Sequence, residues 1–196
     1  MRLLITLSFL PSLNSFCFGQ TTKEQKFKTT IQEIITSFSK QDSIAISRYI
    51  NKEIGVFQLD RIGVFDNYNH FQALSFSNTT YPQVLFRNPK GIKLLTLKYT
   101  SLPTWDCDKE AWSKKGLFVD TTKTDHLLSK MCKTNNKLKP DSISKKQIQF
   151  FFDLETKSRR VVLYDPNKIE LVFYVSYLNG RWYLTIVDNV SSDCSV

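Results

Sequence analysis

The dipeptide Asn179-Gly180 lies between two β-rich runs, IELVFYVSYL and RWYLTIVDN. Asn-Gly is the strongest short-range hairpin signal, because a two-residue turn of this hand needs positive φ at both positions. It fixes two long strands as antiparallel neighbours. RRVVLYD precedes them across Pro166-Asn167, and QIQFFFDLE reads as a further β-rich run before that. The last fifty residues therefore predict a four-stranded antiparallel meander. On IELVFYVSYL one face carries Ile169, Leu171, Phe173, Val175 and Tyr177. The other carries Glu170, Val172, Tyr174, Ser176 and Leu178. Both are apolar at the centre, as expected of an interior strand covered on two sides.

Upstream the periodicity changes. Phe27, Ile31, Ile34, Ile35 and Phe38 form one stripe at helical spacing, with Lys26, Lys28, Gln32 and Glu33 off it. Asp42 reads as the N-cap of a second, shorter helix with Ile46, Tyr49 and Ile50 on one face. Ile54-Gly55-Val56-Phe57 recurs as Ile62-Gly63-Val64-Phe65. The echo predicts two short extended segments joined around Asp60-Arg61. Asp66 reads as the cap of a third helix, DNYNHFQALSF, and IKLLTLKYTS at 92–101 reads as a strand.

Residues 102–146 are polar, with Trp105 and Trp112 near the start and a short helix expected around DHLLSKMCK. They read as an insertion. Residues 108–146 hold ten Lys, five acidic residues and no Arg. Readers of nucleic acid lean on Arg for bidentate contacts, so nucleic acid is not an expected partner despite a formal net charge of +9. A Lys-only region of this kind serves more often as a solvated surface, and attraction to an anionic envelope component or glycan is its functional reading.

The first nineteen residues, MRLLITLSFLPSLNSFCFG, have the layout of a secretory signal peptide. Arg2 begins it, Leu3 to Leu10 is apolar, and Cys17 and Gly19 sit at −3 and −1 of a cut before Gln20. The run is too short to span a bilayer, which takes ~20 apolar residues. The expected product is a single domain over 20–196, secreted or periplasmic, with no transmembrane segment. Three cysteines remain in it. Cys107 and Cys132 bracket the Lys-rich segment and are the favoured pair, closing a loop worth roughly 3 kcal/mol in the chain-entropy model. Cys194 is then left over.

The order of elements resembles the NTF2-like fold family: a helix hairpin, a short extended piece, a third helix, then an antiparallel meander closing on Asn179-Gly180-Arg181-Trp182-Tyr183. The likeness covers roughly 24–101 and 147–190. It implies an α+β fold in which N-terminal helices pack on a strongly curved antiparallel sheet shaped as a cone. The long 102–146 insertion departs from the family pattern. The chain is also similar to small exported proteins of Bacteroidetes-type bacteria, whose signals end near Phe-Gly-Gln.

No Gly-x-Ser-x-Gly elbow, phosphate loop, dinucleotide fingerprint or His-Glu-x-x-His occurs. With His70 and His126 as the only histidines and no close-spaced ligand pair, neither a metal site nor a cofactor is expected. The leading expectation is non-enzymatic binding of a small ligand, an envelope component or a protein partner. Tyr174, Tyr177, Trp182 and Tyr183 would supply an aromatic wall. The competing expectation follows from the family resemblance: an isomerase- or hydrolase-type enzyme with His70 as general base, oriented by Asp60 or Asp66.

Overall fold

A computed structural model describes residues 15–63, 65–77 and 89–194, with side chains from Lys23 on. Most of the expected signal peptide lies outside these residues. Helix α1 runs Ser15–Lys40, so its first residues precede the expected cut before Gln20. None of the described helices is long and apolar enough to cross a membrane.

The fold is mixed α+β. After α1 come α2 (Ser43–Ser47), β1 (Val56–Ile62), β2 (Phe65–Phe71), β3 (Leu97–Tyr99), β4 (Trp105–Asp106), β5 (Ala111–Trp112) and β6 (Gly116–Val119). Helices α3 (Leu127–Leu138) and α4 (Lys145–Thr156) follow, then β7 (Ser158–Tyr164), β8 (Glu170–Leu178) and β9 (Arg181–Asp188). Seven strands form one sheet in the order β2-β1-β9-β8-β7-β6-β3, while β4 and β5 pair separately. The sheet is antiparallel except at β1/β9 and β3/β6.

The β8–β9 hairpin turns at Asn179 (φ +47°) and Gly180 (φ +81°), with Leu178 opposite Arg181. Side chains alternate across the sheet, and each face has its own cover. The five residues of the α1 stripe are all 0% exposed and pack on Leu171, Phe173 and Val175 of β8, with Val161, Leu163 and Leu184 beside them. On the other face, Tyr174 and Ile186 lie under Leu128 and Met131 of α3 and Phe151 and Leu154 of α4. Asp42 caps α2 as expected, its Oδ1 accepting from the Ile44 and Ala45 N–H groups.

Four sequence expectations need correction. QIQFFFDLE is not a strand: it is most of α4, capped by Ser144, whose Oγ accepts from the Gln147 N–H at 3.1 Å. Three consecutive phenylalanines imitate a β-run, but the buried Phe151 and Leu154 and the half-buried Ile148 recur at helical spacing. DNYNHFQALSF is not a helix; its first six residues belong to β2. Asp60 and Arg61 lie inside β1, and the turn into β2 begins at Gly63 (φ +65°). The 92–101 strand shrinks to the three residues of β3.

Residues 102–146 are no appendage either. They supply β6, paired to β7 and β3 within the main sheet, and α3, which covers one face of it. With helices on both faces, the core is two apolar layers rather than one interior.

Candidate functional site

His70 lies on β2 opposite Phe57 of β1. Its ring stacks on Phe57 with centroids 4.6 Å apart, and Nε2–H donates to the Ile54 carbonyl at 2.7 Å. The chain reaches this spot through Gly55 (φ +71°); a Cβ there would meet the Phe71 carbonyl oxygen at 2.4 Å and His70 Nε2 at 2.6 Å. Glycine is therefore required by both conformation and space.

The structure does not bring the expected catalytic residues together. Asp60 is out of phase with Phe57 on β1, so it projects from the opposite face to His70. It is buried and accepts from the side-chain amides of Gln58, Asn69 and Asn189. Asp66 shares the His70 face but sits four residues along the strand, ~13 Å away. Its Oδ1 holds Arg61 Nε at 2.6 Å.

The expected aromatic wall is also divided. Tyr177 and Trp182 face α1, where Trp182 packs on Phe27 with centroids 4.9 Å apart and donates from Nε1 to the Lys23 carbonyl. Arg159 lies 4.4 Å from the Phe27 ring centroid and is held by both oxygens of Glu24. This group pins α1 to the sheet. Tyr174 lies under α3 and α4, and Tyr183 is opposite Ser176 on that same second face.

The disulfide is Cys107–Cys194, not Cys107–Cys132. It ties the turn of the β4–β5 hairpin to the end of the chain, where Trp105 Nε1–H donates to Cys194 Sγ at 2.9 Å. Cys132 is a free thiol, buried in α3, with its pKa pushed up to about 12 by burial and then by the Glu155 charge. A thiol so held is inert at neutral pH.

One polar cluster escaped the sequence reading. Arg160 of β7 donates to Asp125 and to Asp188 at 3.0 Å each. Glu155 of α4 accepts from the Leu128 and Ser129 N–H groups at 2.6 and 3.1 Å, capping the start of α3 from another helix. His126 Nδ1 faces Glu155 at 3.8 Å. Two adjacent arginines opening a β-run were the only hint, since alternation puts just one of them on each face. Among the described residues, no group of three or more His, Cys, Asp or Glu is placed to hold a metal ion.

A groove of about 830 Å³ lies where β2, an edge strand of the sheet, meets the end of α3. Phe65 and Tyr68 supply apolar surface from the strand, and Leu138 and Ile143 from the far wall, with Lys139 and Ser142 at the rim. Phe65 is 54% exposed and Leu138 62% exposed. The wall is braced: Asn136 Oδ1 accepts from the Ile143 N–H and the Ser142 hydroxyl, while its Nδ2 donates to the Ile143 carbonyl. The strand edge is closed as well. The Asp66 carbonyl accepts from Asn135 Nδ2 at 3.0 Å, and the Tyr68 N–H donates to Asn67 Oδ1 at 2.8 Å. An incoming β-strand would have to displace both.

Comparison with protein-family models, curated proteins and solved structures finds no match to this chain.

Proposed function

We propose that this protein is an exported, non-enzymatic binding protein whose groove between β2 and α3 takes an amphipathic anion. The observation that carries the reading is the groove itself: about 830 Å³, with Phe65 and Leu138 exposed across it and Lys139 at the rim. That volume falls in the range of small-molecule sites, which pair an apolar lining with a few polar groups. A net charge of +9 draws anions toward the surface. The blocked strand edge favours a ligand seated on side chains over a partner strand paired to the backbone.

The apolar run and small-residue cut near the N-terminus support an exported address. So does the Cys107–Cys194 disulfide, a bond that persists in oxidising compartments. The NTF2-like likeness contributes only the order of a helix hairpin before a closing meander; the binding reading does not depend on it.

Anilinonaphthalene sulfonate, an aromatic body with one acidic group, is the test ligand. Fluorescence titration of the native protein should give saturable one-to-one binding, weakened by salt. Phe65→Ser and Leu138→Ser should each weaken it roughly tenfold, the loss expected for one apolar contact of about 1.4 kcal/mol. Lys139→Gln should remove much of the salt dependence. Equal binding by the native protein and both apolar variants would overturn the assignment.

A further inference from the structure

The solvent side of α3 is a stripe of cations. Lys130, Lys133 and Lys137 recur at helical spacing and are all exposed, opposite Leu128 and Cys132, which face the sheet. The helix carries no acidic residue of its own. From Leu127 to Thr156, across α3, the loop after it and α4, six lysines stand against two exposed acids, Asp141 and Asp153. The third acid, Glu155, is buried at the start of α3. Asp125, just before the helix, is bonded to Arg160, and Asp66 of β2 is bonded to Arg61.

Apolar side chains flank the stripe. Phe152 of α4 is 38% exposed, and the Lys133 ammonium lies 5.8 Å from its ring centroid. On the other flank, Lys130 lines a pocket together with the exposed Phe65 and Leu138. Cations and apolar groups therefore share one surface. Lysine reaches over such a surface on a long apolar stem that ends in a point charge. That suits a plane of many loosely placed anions. One fixed phosphate or carboxylate calls for the fork of an arginine, and none lies between Leu127 and Thr156.

We propose that the outer face of α3 docks the protein on an anionic lipid bilayer, with the lysines over the headgroups and Phe152, Phe65 and Leu138 entering the interface. Polybasic segments bind such membranes through their summed charge, and exposed phenylalanine and leucine add contact at the acyl boundary. The face adjoins the groove at Phe65 and Leu138, but the inference does not rest on the ligand proposed there.

The test is co-sedimentation of the full-length protein with vesicles of phosphatidylglycerol and phosphatidylcholine in equal parts, against vesicles of phosphatidylcholine alone, in ~0.1 M salt. Partition onto the anionic vesicles should exceed that onto the neutral ones, which report any contribution of the apolar N-terminal run. Each lysine is worth about fivefold, so Lys130→Gln, Lys133→Gln and Lys137→Gln together should weaken it roughly a hundredfold. The same charge removed elsewhere should weaken it far less, by Lys26→Gln and Lys40→Gln in α1 with Lys98→Gln in β3 at the far edge of the sheet. Phe152→Ser should weaken it several-fold with circular dichroism unchanged, and Leu138→Ser is the second apolar variant should Phe152→Ser not fold. Equal partition onto both vesicles, or equal loss from the two lysine triples, overturns the docking. So does absence of binding to anionic vesicles, which would leave the stripe to an acidic protein. Anionic-vesicle binding without dye binding overturns the groove reading and supports the docking; dye binding without vesicle binding does the reverse.

Discussion

The two faces of the sheet are held by different physics. Under α1 the contact is mainly apolar, from Phe27 to Phe38 against Leu171, Phe173 and Val175, with the Arg159–Glu24 pair at one end. Under α3 and α4 the same strands present Arg160, Tyr174 and Asp188, and the helices answer with Glu155 and a short apolar strip. The first face depends on volume and area, which many side chains can supply. The second depends on geometry, because each buried charge needs its partner at a particular distance. The comparison teaches that fold and site are separable here: the α1 face holds the sheet, and the α3 face is where buried charge and open surface come together.

Substitutions at matched positions would test that contrast. Phe27→Ala should cost ~3–5 kcal/mol in urea unfolding, through a cavity against Trp182. Arg160→Ala should cost a comparable ~3–5 kcal/mol by stranding Asp188. Conservative changes should separate the two. Ile31→Leu should stay below ~1.5 kcal/mol, whereas Arg160→Lys should cost more than that, since a single ammonium cannot replace a fork bonded to two carboxylates. Equal tolerance at both sites would break the comparison.

Next in size is the bridge. Cys107→Ser together with Cys194→Ser should lower stability by about 2–5 kcal/mol, measured as a drop in Tm, because the bond spans 87 residues. Cys132→Ser should leave the bridge intact, as shown by one free thiol fewer on titration of the unfolded chain. The smallest effect is expected at His70. His70→Ala should cost about 1 kcal/mol, the worth of its bond to the Ile54 carbonyl, and should leave dye binding in the groove unchanged.

Parts of this architecture were readable in advance for identifiable reasons. The α1 stripe and the Asp42 cap depend on residues within a few positions of one another. So does the Asn179-Gly180 turn, and so do the two faces of β8. Local imitation explains the failures. Phe150, Phe151 and Phe152 resemble a strand because aromatic residues favour one, yet Ser144 caps them as a helix and Phe151 alone of the three is buried. Asp66 resembles a helix cap, yet its carboxylate goes to Arg61 across the hairpin. The site was less legible than the fold. The groove joins β2 to the end of α3, and the Arg160 cluster joins the segment before α3 to β7 and β9. Neither involves residues close in sequence.

What this chain determined by itself is local: where the backbone must curl at 3.6 residues per turn, where it alternates, and where φ must turn positive. Those preferences act over a few bonds and need no distant partner. Tertiary structure alone decided that β9 lies between β1 and β8, that Cys107 meets Cys194, and that two carboxylates share one arginine. Such meetings depend on which long loops close and which faces are covered. That choice is made by the summed burial of the whole chain, which no short window of sequence contains.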